Sequence, residues 1–221
     1  YNSVVCLVYE YRKVELWTAH GHNKSKMTTP QICSIDGNIG AGKSTILNKL
    51  KDKGYLVFEE DLNNWGNLLD RFYKDPRRWM CTLQIKILNS MYSQYDHMRK
   101  TKGSQFVFVE RSPTSSLIFV ENGVKSGFLT NEEETLILDI YKHLGWKPDI
   151  SFYINTDVDT CFDRMRSRNR ECEKNISKNY LEFLHSRYVK TYDGQGNSYI
   201  IEGLPSVDIV VNTIIEKLNT S

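Results

Sequence analysis

The sharpest chemical signal in the chain is Gly37-Asn38-Ile39-Gly40-Ala41-Gly42-Lys43-Ser44, followed by Thr45. Glycines at these spacings let successive backbone N–H groups turn inward around phosphate oxygens, and a helix that follows adds the positive end of its dipole. A lysine in this place reaches the β- and γ-phosphates, and the next hydroxyl can ligate Mg²⁺. At average glycine content the pattern arises by chance in about one chain in a hundred of this length. Binding of a nucleoside triphosphate is the first expectation.

Two further clusters decide what a phosphate loop does. A GTPase needs a base-reading N-K-x-D, and none is present. The apolar run Phe106–Val109 ends instead in Glu110-Arg111-Ser112. A carboxylate there can hold Mg²⁺ or its waters, and the guanidinium can face a phosphoryl or alkoxide oxygen; a surface ion pair is the plainer alternative. Arg164, Arg166, Arg168 and Arg170 recur at spacing two, with Glu171 and Glu173 following. Arginines so spaced cannot share one helix face. They are either a solvated helix end or a lid of cations for a transferring phosphoryl group. A lid would exclude water and direct phosphate to an acceptor, as in a small-molecule kinase.

These groups need a scaffold, and the apolar pattern supplies one. Strand-length runs fall at Ile32–Ile35, Tyr55–Phe58, Phe106–Val109, Ile150–Ile154 and Tyr199–Ile201. Helical segments lie between and after them. Lys43–Lys53 stops at Gly54, and Arg77–Lys100 is long and amphipathic. Thr130 and Glu133 form a capping box for a helix reaching Leu144. Asp157–Arg168, Lys178–Tyr192 and Val207–Leu218 complete the set. The alternation predicts an α/β fold of P-loop kinase type, a five-stranded parallel sheet with helices on both faces. Ligands then belong beyond the carboxyl ends of the strands.

The 221 residues carry 29 basic and 27 acidic side chains, with 40% hydrophobic and 25% charged, the balance of one globular domain. A net charge of +2 gives no general case for nucleic-acid binding. No apolar run approaches the ~20 residues of a membrane span. Cys6, Cys33, Cys81, Cys161 and Cys172 lack metal-site spacing and read as free thiols of a reducing compartment, the cytoplasm, with the mitochondrion left open. Residues 1–30 read as a flexible extension, a strand at Val4–Tyr9 being the alternative, and 31–221 as the kinase domain.

Gly37–Thr45, Glu59-Glu60 with Trp65, Tyr73-Lys74-Asp75-Pro76 with Trp79, Gln84, Glu110-Arg111-Ser112 and the arginine run occur in this order. In that combination the chain resembles the deoxynucleoside kinase family: the insect, mitochondrial and cytosolic deoxycytidine-type enzymes and the herpesviral thymidine kinases. The resemblance spans about residues 31–185. It implies ATP-dependent phosphorylation of the 5′-hydroxyl of deoxynucleosides for DNA precursor salvage, thymidine preferred and deoxycytidine also accepted. ATP is the implied donor and Mg²⁺ the implied metal.

By the same resemblance Glu60 is the general base, paired with Arg111, and Lys43 serves the phosphates. Ser44 and Glu110 serve the metal. Arg164, Arg168 and Arg170 match the lid cations, with Arg166 adding to them. Gln84 matches a base-reading amide, Tyr73 and Glu173 the partners of the 3′-hydroxyl. Met91 and Ser116 fall where the pocket behind the base is shaped, with room for the thymine methyl; Trp65 and Phe119 are candidate aromatic walls, core packing being the alternative for either. A homodimer packed through the helices at Arg77–Lys100 and Thr130–Leu144 is implied; the expectation of no nucleic-acid or membrane partner rests on the charge balance and the apolar runs above.

The chain also departs from the family. Asp61 stands where a proline is usual, Cys172 where Glu is usual. Pro113 opens a helix as in the herpesviral proteins, and a one-residue shortening leaves Ser115 and Ser116 interchangeable in assignment. Two other functions stay open at this point. A thymidylate-type kinase would need an extra cation for its acceptor's phosphate, which an anionic Glu60 would repel. A catalytically silent nucleotide-binding subunit would have no need of Lys43, Glu60, Arg111 and the lid together.

Overall fold

The computed structural model describes residues 29–60 and 62–219. The expected extension therefore falls almost wholly outside the described residues, as do Cys6, Asp61 and the side chain of Cys172.

Five strands form one parallel sheet: β1 (Gln31–Gly37), β2 (Leu56–Phe58), β3 (Phe106–Glu110), β4 (Ile150–Asn155) and β5 (Ser198–Glu202), in the order β2-β3-β1-β4-β5. The connection through α1 (Lys43–Asp52) runs from β1 toward β2. Those through α5 (Pro113–Lys125) and α8 (Lys178–Tyr192) run the other way. Right-handed crossovers in opposite directions place the helices on opposite faces. α9 (Val207–Asn219) packs against α1, while α7 (Val158–Ser167) and α5 pack against α8. The core is accordingly two-sided. Fully buried Cys33, Ile35, Phe108, Phe152 and Ile154 form one cluster with Leu47, Leu50, Val211 and Ile214. Tyr153, at the alternate strand position, stacks on Tyr188 and Tyr192 of α8 with centroids 5.6 and 5.7 Å away.

Local chemistry sets the element ends. Gly54 at φ +89 follows α1. Thr130 and Glu133 form the expected reciprocal box before α6 (Asn131–Leu144). Asp157 caps α7 through its bond from the Thr160 N–H. α4 (Pro76–Lys100) starts one residue earlier than its apolar period, because Pro76 takes the first turn and Asp75 accepts from the Arg78 N–H. Two short helices, α2 (Leu62–Trp65) and α3 (Leu68–Lys74), were not expected. They are split by Gly66 at φ +58 and are too short to show a helical period. With α4, α5 and α6 they enclose a second apolar cluster containing Trp65, Phe72, Met80, Leu83 and Val120. That cluster forms the far wall of the site.

Candidate active site

A cleft of about 490 Å³ opens at the carboxyl ends of the strands, within the range of small-molecule sites. One end is the phosphate loop between β1 and α1. Gly40 has φ +81, and a Cβ there would sit 2.2 Å from the Cys161 carbonyl oxygen, so only glycine fits. Gly42, at φ +95, begins α1 with no side-chain cap, leaving the first amides of the helix available to an anion. Asn38 ties the loop to α8 by donating from Nδ2 to the Leu181 carbonyl at 2.9 Å. Lys43 is buried, with Nζ donating to the Asn38 carbonyl at 2.9 Å and lying 3.9 Å from Glu110. Burial, then the Arg111 charge, lowers its pKa to about 8. Ile39, Gly40, Gly42, Lys43, Ser44 and Thr45 line the cleft, whereas Gly37, Asn38 and Ala41 are buried and do not.

Beyond the loop lie the groups that could handle a reacting oxygen. The Ser44 hydroxyl donates to Glu110 at 3.2 Å, an adjacent hydroxyl and carboxylate of the donor chemistry Mg²⁺ takes. Glu60 follows β2, and Arg111 follows β3; Arg111 Nε donates to Glu60 Oε1 at 3.0 Å. Burial raises the Glu60 carboxyl above its ordinary pKa, although Arg111 opposes the rise. Arg111 takes φ +66, left-handed backbone that a side chain with Cβ rarely adopts. Its N–H reaches the Ile35 carbonyl at 3.1 Å, and its guanidinium lies 5.1 Å from the Phe119 ring centroid.

The arginine run folds as the end of α7 and the turn after it, which closes in a 3-10 turn at Glu171–Glu173. Arg164, Arg168 and Arg170 line the cleft. Arg168 holds buried Glu173 through two bonds of 2.8 and 2.6 Å, and Arg170 stands 3.6 Å from the same carboxylate. Arg166 corrects an expectation. It turns away, donating to the Lys174 and Ile176 carbonyls and covering the Phe162 ring, so it braces the segment and does not add a cation to the cleft. Residues two apart on a helix diverge by about 200°, which is why the run splits.

The opposite end of the cleft is neutral. Met80, Leu83, Ile87, Met91, Trp65 and Phe119 surround Gln84, and Ser116 donates to Gln84 Oε1 at 2.7 Å. Of the Ser115/Ser116 pair, Ser116 lines the cleft, while Ser115 turns back to Asp36 and Tyr188. Trp65 serves core and wall together, its indole N–H donating to Ser90 at 3.0 Å. Tyr73 and Glu173 both line the cleft. Tyr180 also lines it, and Asp36 and Tyr188 stand behind Arg111, all three beyond the residues expected from the sequence. Asp36 was the findable one, an acid inside an apolar strand.

The family model described as deoxynucleoside kinase matches residues 33–217. A protein of Frog virus 3 (isolate Goorha) described as "Putative deoxynucleoside kinase" is 32% identical over 190 residues, covering 86% of this chain and 94% of the relative. A Fowlpox virus protein described as "Probable deoxycytidine kinase" is 36% identical over 176 residues, covering 76% of this chain and 74% of the relative. A solved structure of deoxyadenosine kinase from M. mycoides, holding dCMP as product, superposes with a TM-score of 0.77 at 23% identity, covering 86% of this chain and all of that one.

Proposed function

The chain belongs to the deoxynucleoside kinase family, and we propose that it transfers the γ-phosphoryl group of ATP to the 5′-hydroxyl of thymidine, with deoxycytidine as a second substrate, in DNA precursor salvage. The observation that carries this is the Glu60–Arg111 pair, 3.0 Å apart, standing between a phosphate loop and a neutral pocket. Glu60 accepts the 5′-hydroxyl proton as that oxygen attacks phosphorus. Its raised pKa makes it a better proton acceptor, while Arg111 keeps the carboxylate aimed and faces the reacting oxygens. Lys43 and the α1 amides hold the phosphates, and Arg164, Arg168 and Arg170 offset charge on the transferring group. Ser44 and Glu110 would hold Mg²⁺, which when bound neutralises phosphate charge.

Base preference follows from the neutral end. Gln84 offers one donor and one acceptor, matching the amide-like edge of thymine or, with a flip, that of cytosine. Tyr73 and Glu173 are suited to the sugar 3′-hydroxyl. Among the described residues, apolar Met80, Leu83, Ile87 and Met91 line the cleft with Gln84, and Met91 with small Ser116 leaves apolar room for a methyl. Such a pocket discriminates weakly against a related group. ATP-coupled turnover of thymidine, deoxycytidine, deoxyadenosine, deoxyguanosine and thymidine monophosphate tests the reading. Thymidine should give the highest kcat/KM, with deoxycytidine next. Higher kcat/KM on a purine nucleoside would overturn the preference, and activity on the monophosphate alone would overturn the reaction.

A further inference from the structure

We infer that Tyr188 is a positioning residue for phosphoryl transfer, aiming the Arg111 guanidinium through a buried hydroxyl relay that ends on Asp36. The inference rests on the roles of Glu60 and Arg111 proposed above. Arg111 Nη1 donates to the Tyr188 hydroxyl at 2.6 Å and to the Gly37 carbonyl at 2.9 Å. The guanidinium is a rigid planar fork, so fixing Nη1 also fixes where Nε meets Glu60 and where the remaining N–H groups point. Arg111 needs such restraint, because it stands at φ +66 directly after a strand.

The relay has a direction. The Tyr188 hydroxyl donates to Ser115 Oγ at 3.1 Å, and Ser115 donates in turn to Asp36 Oδ1 at 2.5 Å. Each hydroxyl has one proton to give. A guanidinium at one end and a carboxylate at the other therefore orient both hydroxyls the same way, presenting a Tyr188 lone pair to Arg111. Asp36 is anchored at the far end by the Ser112 N–H at 3.2 Å, and Asp36, Ser115 and Tyr188 are fully buried. Packing alone does not need the hydroxyl. The Tyr188 ring stacks on Tyr153 at an interplanar angle of 4° and on Tyr192 at 19°, contacts that phenylalanine would keep. The hydroxyl is the part directed at the site.

The test is steady-state kinetics of Tyr188→Phe, Ser115→Ala and the double variant in the full chain, with Tyr153→Phe as control. Tyr153 belongs to the same stack, but its hydroxyl pairs with His185. Tyr188→Phe should lower kcat about tenfold, since a slightly misplaced catalytic group costs rate before binding. KM for ATP and nucleoside should stay within about twofold of the parent, and the melting temperature should match that of Tyr153→Phe. Ser115→Ala should lower kcat in the same direction, and the double variant should be no slower than Tyr188→Phe, because both cut one path. Unchanged kcat in Tyr188→Phe, losses that multiply in the double variant, or a fall in kcat matched by raised KM and lowered melting temperature would overturn the relay. Should Tyr188→Phe not fold, Ser115→Ala decides alone. Glu60→Gln separates the two claims. If it is inactive while Tyr188→Phe is fully active, only the relay fails; if it turns over normally, the reading beneath it fails.

Discussion

Glu60 and Lys43 stand within one cleft and are shifted in opposite senses by the same cause, removal from water. Burial raises the Glu60 carboxyl and lowers the Lys43 ammonium to about 8, each toward its neutral form. A carboxylate base works when deprotonated and a phosphate-binding lysine when protonated, so the proposed activity needs pH above the first and below the second. The pH profile of kcat/KM for ATP should therefore be bell-shaped. Its acid limb should lie above the ordinary carboxylate range and its alkaline limb near pH 8. In kcat the alkaline limb should move upward, because a bound polyphosphate favours the charged lysine. A second prediction concerns Gly40. Alanine there would meet the Cys161 carbonyl oxygen at 2.2 Å on φ +81 backbone, costing more than about 2 kcal/mol. Thermal melting should fall and ATP binding should weaken together.

Among the elements, the arginine segment after β4 separates Arg166, which braces its own backbone, from Arg164, Arg168 and Arg170, which line the cleft. Arg166→Ala should speed amide exchange across residues 169–177 and raise KM for ATP severalfold, because two backbone carbonyls lose their partner. Arg168→Ala should instead cut kcat about a hundredfold, the order expected of one charge-stabilising donor. Exchange mass spectrometry beside steady-state kinetics distinguishes the two. Spacing two in the sequence announced that the arginines diverge, but not which of them turns back onto its own segment; that depends on where Lys174 and Ile176 come round. The long elements were legible because caps and apolar period agreed, as at Thr130 and Gly54. α2 and α3 were not, being four and seven residues long, and the helix after Ser112 was expected only through the resemblance.

Across the whole molecule, the sheet order explains why distant residues meet. β1 lies between β3 and β4, so the phosphate loop, Glu110-Arg111 and the lid after β4 converge at one edge, and β2 brings Glu60 beside them. Alternating strands and helices foretold the layers, and the rule that ligands sit beyond carboxyl ends located the cleft. The relay behind Arg111 stayed hidden, since Tyr188 reads as one more apolar position of α8. We propose that Tyr92 on α4 and Leu136 and Leu138 on α6, which are exposed apolar side chains, pack against a second copy of the chain. Light scattering should then give twice the mass of one chain. The central claim is that Glu60 takes the proton. Thymidine phosphorylation by Glu60→Gln, measured beside ATP binding, tests it most directly. The rate should fall by at least about a hundredfold with ATP affinity unchanged. Turnover near that of the parent would contradict it.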